Sequence, residues 1–467
     1  MRGFGKSIVV FVAGLASATP AASETLADAL VGAYNHSGLL EQNRAVLRAA
    51  DEDVAVAISA LRPVVTWSAG VARSYQRSRS AVPLSQIVSA NATTASVEVS
   101  ASLTIYDYGR NKMAVDVAKE AVLAARQALV SVEQQVLISA VSAFLEMRRA
   151  METVALRENN VRLITQELRA ANDRFDVGEV TRTDVALAEA RLAAARSGLA
   201  SAQGNLAIAV ETYRAEVGRK PGALVQPGAL PSIPGSVDKA KGLALKYHPD
   251  MLRAKIEVTI AELNVLRARA AMKPTVTLTG RLAANDDLTN RGFSTTGSVS
   301  LGASGTLYAG GRLSALLRQS MASRDAAIAN LHVISHAIEQ NVGNAYARLG
   351  VARASREAST RQVAASRVAF RGVREEATLG ARTTLDVLDA EQELLDAQAQ
   401  SISARVDEQV AVYTVLGTMG YLTAKRLKLG VQEFDPEGYY NMVHKAPTRN
   451  SKQGKELDRV LRALGKQ

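Results

Sequence analysis

The chain contains two copies of one structural unit, and this duplication limits what it can fold into. The motif Tyr-Asp-Tyr-Gly-Arg at 106–110 recurs as Tyr-Ala-Gly-Gly-Arg at 308–312, an offset of 202 residues. Five more positions recur at the same offset: Gly178, Thr181, Asp184, Val185 and Glu189 match Gly380, Thr383, Asp386, Val387 and Glu391. An offset that stays constant across about 80 residues predicts two sets of helices of equal length, held in register within one structure.

A second offset shows where the two copies differ. Leu-Arg-Pro at 61–63 matches Met-Lys-Pro at 272–274, an offset of 211 residues, so the first copy has nine extra residues before Tyr106. A Pro-rich segment between the copies is typical of an extended linker. The chain is therefore divided into a signal peptide (1–23), a first repeat (24–220), a Pro-rich linker (221–235), a second repeat (236–430) and a C-terminal tail (431–467) that we expect to be mobile.

The N-terminal residues indicate export. Arg2 and Lys6 precede an apolar stretch from Ile8 to Ala18, and small residues follow as far as Ser23. This pattern is typical of a secretory signal peptide, and the apolar stretch is too short for a bilayer-spanning helix. The chain has no cysteine, which excludes disulfides, thiolate metal sites and a lipid carried by an N-terminal cysteine.

Each copy is predicted to contain one β-hairpin. Apolar and polar residues alternate along 95–105, and Phe293 to Leu307 repeats this pattern; partner strands begin near Val64 and Thr275. Polar segments rich in Gly and Ser are expected to join the strands of each pair, at 77–89 and 285–296.

Four strands per chain are too few to close a barrel, for which about eight is the practical minimum. An open sheet with one apolar face would leave its edges unpaired, so we expect the chain to associate with copies of itself. No uninterrupted run of 18 apolar residues occurs after the signal peptide. A membrane crossing would therefore use strands, with lipid on the apolar face and water on the other. The alternative is a small soluble sheet packed on helices.

The helices are predicted to be long. No proline interrupts the segment from Asn111 to about Asp176, and its apolar residues step by three and four as in a coiled-coil seam. A helix of this length would reach roughly 100 Å. A helix of this length next to short spanning strands fits a tube projecting from a membrane better than a compact core.

A turn is predicted at the far end of the long helix in each copy, at 175–181 and at 377–383. Gly is expected to end one helix and Thr to cap the next. Four charged residues lie beside these turns: Asp184, Arg382, Asp386 and Asp389. Acidic residues at such positions are also common as simple partners of the helix dipole, and that explanation stays open from the residues alone.

Other functional classes find little support. The formal net charge is +11, but Lys and Arg are interleaved with Asp and Glu along helical stretches, so nucleic-acid binding is not expected. His332 and His336 lie four residues apart without the Glu of a zinc-protease motif. We expect no enzyme activity, no metal and no cofactor, because no nucleophile motif, phosphate loop or dinucleotide fingerprint is present.

The duplicated Tyr-x-x-Gly-Arg motif and the two turns resemble the TolC family of outer-membrane channel proteins. The turns are Phe-x-x-Gly-x-x-Thr-x-x-Asp-Val at 175–185 and Gly-x-x-Thr-x-x-Asp-Val-Leu-Asp-Ala-Glu at 380–391. The likeness covers nearly the whole mature chain. Phe434-Asp435-Pro436, followed by Tyr439 and Tyr440, is similar to the members that serve type I protein secretion.

The resemblance implies a fold that is mainly α with a membrane β-barrel. Three chains would form a homotrimer in which each chain contributes four strands to one 12-stranded barrel. A coiled-coil tunnel of α-helices would continue this barrel into the periplasm. It also implies an exit duct in the outer membrane. The duct would pass drugs, other toxic compounds or secreted proteins from a periplasmic adaptor and an inner-membrane pump or ABC transporter to the outside.

The same resemblance assigns roles to the turns. Val177, Gly178 and Glu179 in one turn, and Leu379, Gly380 and Ala381 in the other, match the tips that meet the adaptor. Asp184 and Arg382 match residues that link neighbouring coils and keep the tunnel mouth shut, and Asp386 and Asp389 match aspartates that line the constriction. Ala377 departs from the family, whose best-studied members have a tyrosine there, so one hydrogen bond of the closed state is missing. The alternative function is a structural or adhesive periplasmic coiled-coil protein without a conduit.

Overall fold

A computed structural model describes residues 23–79, 87–463 and 465. The predicted signal peptide, apart from Ser23, lies outside the described residues, as do residues 80–86 of the first predicted hairpin loop.

Within these residues, long helices alternate with two β-hairpins. The helices are α1 (Leu26–His36), α2 (Gly38–Ser59), α3 (Arg110–Asp176), α4 (Arg182–Val217), α5 (Val237–Tyr247), α6 (Pro249–Ala270), α7 (Arg312–Thr378), α8 (Thr384–Thr418), α9 (Gly438–Val443) and α10 (Lys452–Ala463). The strands are β1 (Ser23–Glu24), β2 (Val64–Arg79), β3 (Ile87–Tyr106), β4 (Ala223–Leu224), β5 (Thr275–Asp287) and β6 (Gly292–Ser304).

The predicted long helix is confirmed, and its counterpart has the same length. α3 and α7 each contain 67 residues, and α4 and α8 contain 36 and 35. Equal lengths are what a constant offset between two copies requires. Of the described helices, only α3 has a stretch apolar and long enough to cross a membrane. Helices in protein cores can be equally long and apolar, so this stretch alone does not assign α3 to a membrane.

The four main strands form one antiparallel sheet in the order β2-β3-β5-β6. Two hairpins are thus joined side by side through β3 and β5. The second hairpin loop contains only residues 288–291, and β6 ends at Ser304, so that loop is shorter than the sequence predicted and the strand ends earlier. The loop is short because the paired strands extend through polar residues as far as Asp287 and Gly292.

One face of this sheet is mostly apolar. Residues that pair across strands point to the same side, so the register places alternate residues of all four strands together. Toward the helical end this face consists of small and aliphatic residues with one tryptophan: Val65, Trp67, Ala69, Val71, Val97, Val99, Ala101, Leu103, Val276, Leu278, Leu282, Val299, Leu301 and Ala303. The predicted alternation is confirmed.

The chain divides into two compact units. One comprises described residues up to 37 together with 139–232 and 351–412. In it, α1 packs against α4, and β1 pairs in parallel with β4. The buried carboxylate of Glu24 accepts hydrogen bonds from the hydroxyl of Tyr213 (2.6 Å), from Arg219 Nε (2.9 Å) and from the backbone N–H of Gly222 (2.9 Å). These bonds hold the pKa of Glu24 below its usual value although burial opposes them.

The other unit comprises the described residues of 38–138, 233–350 and 413–467, and it contains the sheet. Its α2 packs against α9, and a buried cluster of Leu47, Val54 and Val122 is covered in part by Phe434 and Tyr440. The segment expected to be a mobile tail therefore includes residues packed on α2. Mobility itself stays a prediction.

Candidate functional site

The turn after each long helix is built around a glycine. Gly178 and Gly380 have φ angles of 82° and 77°, in the left-handed region that favours glycine. Past each glycine, a backbone N–H returns to the helix it leaves: Glu179 donates to the carbonyl of Arg174 and Ala381 to that of Glu376, both at 2.9 Å. This six-to-one bond is a Schellman C-cap, and both copies use it.

The turns expose apolar side chains at their tips. Val177 is 71% exposed and Leu379 is 84% exposed. Large aliphatic side chains that are uncovered at the end of a helical hairpin are suited to a partner surface. The remaining tip residues, Glu179 and Ala381, are also exposed.

Both short helices begin with the same capping box. The hydroxyl of Thr181 accepts the backbone N–H of Asp184 (3.3 Å), while the Asp184 carboxylate accepts the backbone N–H of Thr181 (2.9 Å). Thr383 and Asp386 repeat this pair at 3.2 and 2.9 Å. In each box, hydrogen bonds from the threonine lower the pKa of the aspartate. The predicted Thr caps are confirmed, and both aspartates carry a structural role within their own chain.

The other two predicted gate residues form ion pairs within the chain. Arg382 Nε lies 2.9 Å from Glu376 Oε2, and this carboxylate is the main cause of the raised pKa of Arg382. Arg191 of α4 lies 2.5 Å from Asp389 of α8, and this pair joins the two helical hairpins, α3–α4 and α7–α8. Among the described residues, no ion pair connects Asp184 with Arg382 inside one chain.

Apolar contacts also hold the two helical hairpins together beside these charged residues. Leu388 of α8 packs against Ala171 of α3 and Ala188 of α4. Ala377 is buried against Phe370 and Val387. The residue that departs from the family pattern thus lies in a packed position.

A sequence profile for outer membrane efflux proteins matches residues 31–219 and 241–420, which correspond to the two copies. The outer membrane efflux protein BepC of Brucella suis is 36% identical over 425 residues, which cover 91% of both chains. The chain belongs to this family. Outer membrane protein TolC of Escherichia coli is 24% identical, with 71% of each chain covered. The solved outer-membrane channel OprN has a TM-score of 0.74 at 22% identity, covering 85% of this chain and 89% of that one, and shows the same fold.

Membership of the outer membrane efflux family confirms the resemblance drawn from the motifs. The chain is an outer-membrane exit duct, and its relatives are channel proteins, not enzymes. Its fold is mainly helical and of the TolC channel type.

The motif at 380–391 ends at Glu391 but does not indicate that this residue is buried near the predicted gate. Glu391 is only 3% exposed, and its Oε1 accepts a hydrogen bond from Asn160 Nδ2 at 3.1 Å. Its other oxygen has no hydrogen-bond partner among the described residues. Burial raises the pKa of Glu391 to about 7, and the nearby pair of Glu167 and Arg374 contributes opposing smaller effects.

The sequence also does not indicate the partners of two predicted gate residues, Arg191 and Glu376, or the partner of Glu391, which is Asn160. Arg191 follows Asp184 by seven residues, two helical turns along one face of α4. That spacing was the only available signal. Glu376 meets Arg382 across the turn, and Asn160 of α3 meets Glu391 of α8; no sequence pattern marks either contact.

Proposed function

We propose that three copies of this chain form the exit duct of a tripartite export system. Their sheets together make a 12-stranded barrel in the outer membrane, and their helical hairpins make a periplasmic tunnel. The observation that carries this proposal is the four-stranded sheet with a mostly apolar exposed face and unpaired edges at β2 and β6. Such a sheet is satisfied by lipid on that face and by copies of itself at its edges.

The tunnel mouth is proposed to lie at the helix-end turns. In a trimer, Asp386 and Asp389 would place six carboxylates in a narrow ring that attracts cations. Arg382 and Asp184 are proposed to contribute links between neighbouring hairpins, which opening would break. Within the chain, Asp389 already has a cationic neighbour in Arg191. Replacing Arg191, which lies outside the ring, would therefore change the net charge at the ring.

Two partners follow from the exposed tips. The apolar side chains of Val177 and Leu379 are proposed to meet the hairpin of a periplasmic adaptor, with Gly178 and Gly380 shaping the turn. The adaptor connects the duct to an inner-membrane pump or ABC transporter, which supplies the energy. The proposed cargo is small toxic compounds, secreted proteins or both.

Single-channel conductance in planar lipid bilayers tests the ring. We expect small, cation-selective steps that multivalent cations block from the helical side. Asp386→Asn with Asp389→Asn should weaken the block, because the amides remove charge while the side-chain oxygen can still accept the capping bond at Asp386. Arg191→Gln should strengthen it, because the charge of Asp389 loses its neighbour.

Asp407→Asn provides the matched control. Asp407 is an exposed carboxylate on the same helix, about five turns further along. Its replacement should leave the block unchanged. Equal block in the wild-type protein and in the double variant would mean that Asp386 and Asp389 do not line the constriction.

A further inference from the structure

The two hairpins have the same strand register, residue for residue. In the first, Val64 pairs with Ser102; in the second, Thr275 pairs with Ser304. Thr275 lies 211 residues after Val64, and Ser304 lies 202 residues after Ser102. These are the two offsets found in the sequence. The same relation holds along each ladder. The duplication therefore predicts strand pairing exact to one residue.

In the part of the chain that the structure describes, the two hairpins meet at one junction, where β3 of the first copy pairs with β5 of the second. β6 is the duplicate of β3, and β2 is the duplicate of β5. Both are edge strands, and all their residues are exposed. Edge strands of this length leave a row of backbone groups for another strand to pair with.

We propose that β6 of one chain pairs with β2 of a second copy in the register that the β3·β5 junction transfers through the duplication. This inference rests on the proposed trimer. In the junction seen within the chain, Val99 pairs with Leu282. Adding 202 to the first residue and subtracting 211 from the second places Leu301 opposite Val71 of the partner subunit. The neighbouring pair, Glu98 with Ala283, becomes Ser300 opposite Ala72 of the partner subunit.

The transferred register keeps each face of the sheet consistent. Leu301 and Ala303 lie on the apolar face, and they meet Val71 and Ala69 of the partner subunit, which lie on the same face in their own sheet. A slip by one residue would bring the apolar side chains of one chain onto the polar face of the next. On the other face, Ser298 meets Ser74 of the partner subunit, so small polar residues would line the lumen.

Side-chain sizes also match in this register. Gly297 comes to lie opposite Tyr75 of the partner subunit, and an aromatic ring across from a strand glycine covers the backbone that the glycine leaves open. No two like charges lie directly opposite each other along the transferred ladder, which would otherwise weaken it.

Disulfide cross-linking can test the register, because the natural chain has no cysteine. Leu301→Cys with Val71→Cys, and separately Ser300→Cys with Ala72→Cys, place thiols at two adjacent predicted pairs. One of the two is the closer, non-hydrogen-bonded type. Within one chain, β2 and β6 are separated by two strands, roughly 14 Å in all, so a cross-link must join two subunits.

The matched controls shift one cysteine by two residues or move the pair inside the chain. Leu301→Cys with Ala69→Cys or with Arg73→Cys puts the thiols on the diagonal, about 7–8 Å apart and beyond disulfide reach. Val99→Cys with Leu282→Cys is the duplicate pair within one chain. It should form a disulfide without a change in mass on a denaturing gel, which verifies folding and oxidation.

After oxidation, we expect the predicted pairs to give covalent dimers and trimers that reducing agent returns to monomers. The offset pairs should remain monomeric on the same gel. Faster cross-linking of either offset pair would overturn the register while leaving the trimer standing. If the Val99→Cys, Leu282→Cys control forms its disulfide but the protein has the native mass of one chain in detergent, the trimer on which the register rests is refuted.

Discussion

A buried carboxylate such as Glu391 imposes a measurable cost on the helices around it. Asn160 donates a hydrogen bond to one oxygen, and no group among the described residues bonds to the other. Burial of an incompletely paired carboxylate favours its protonated form. The pKa of Glu391, raised to about 7, therefore implies that the carboxyl loses its proton in the folded chain only near neutral pH.

Stability around this residue should consequently depend on pH. In the unfolded chain the carboxyl ionises near 4.5, whereas in the folded chain it ionises near 7. The folded state binds the extra proton between these values, so the contribution to stability falls as pH rises from about 4.5 to about 7 and is then constant. Glu391→Gln should remove this loss and stabilise the protein above pH 7 by on the order of 1–3 kcal/mol.

Circular-dichroism melting in detergent at pH 5 and pH 8 checks this prediction. The variant and the wild-type protein should melt close together at pH 5, and the variant should melt higher at pH 8. Glu189→Gln is the control, because Glu189 occupies the duplicate position in the first copy and is exposed. If Glu391→Gln behaved like Glu189→Gln at both pH values, Glu391 would not be the buried group that we describe.

At the level of the helices, the two capping boxes determine where α4 and α8 begin. Each threonine gives and receives a bond with the aspartate three residues on. Replacing a Ser, Thr or Asp N-cap by Ala costs about 1 kcal/mol. Thr181→Ala and Thr383→Ala should therefore loosen the first turn of each helix, while the Schellman bonds across the glycines remain.

Amide hydrogen exchange resolves this change to single turns. Exchange should accelerate roughly fivefold in the first turn of α4 or α8, as expected for a loss of about 1 kcal/mol. Thr212→Ala is the matched control, because the Thr212 hydroxyl donates to the carbonyl of Ile208 inside α4, away from either capping box. Unchanged exchange at residues 182–185 in Thr181→Ala would show that the box does not fix the start of the helix.

The sequence predicted these elements well because duplication and local chemistry both point to them. A constant offset gave two long helices of equal length, glycine and threonine marked their ends, and alternation gave the strands. The partners of the site residues were not predictable in the same way. Arg382 pairs with Glu376 and Asp389 with Arg191 because of how turns and helix faces meet, and no motif in a single sequence records those contacts.

In the molecule as a whole, the C-terminal segment divides into two parts with different attachments. Residues 431–446 are fixed to the unit that contains the sheet: Tyr439 donates to Glu52 (2.7 Å), Arg126 pairs with Glu437 (3.2 Å), and Arg62 donates to the carbonyl of Ala446 (2.8 Å). Beyond them, α10 is a basic helix that contacts α9. Truncation can remove the outer part alone or both parts together.

The buried Asp51 makes the fold sensitive to the loss of residues 431–446. Asp51 is 1% exposed, its oxygens have no hydrogen-bond partner among the described residues, and burial raises its pKa to about 6. Arg126 is the main nearby charge that favours its ionised form. The same Arg126 lies over the ring of Tyr440, so the segment helps to hold the arginine in place.

Truncation after Ala446 should therefore leave assembly and conductance intact, whereas truncation after Gly430 should reduce the yield of folded protein. The longer deletion uncovers the Leu47, Val54 and Val122 cluster by removing Phe434 and Tyr440, and each large apolar side chain contributes about 1.5–3 kcal/mol when buried. Size-exclusion chromatography and bilayer recordings of both variants give the measurement. Asp51→Asn, added to the longer deletion, should recover part of the yield, because it removes the buried charge that Arg126 no longer offsets in a fixed position. Equal yields from both truncations would show that residues 431–446 rest on α2 without stabilising it.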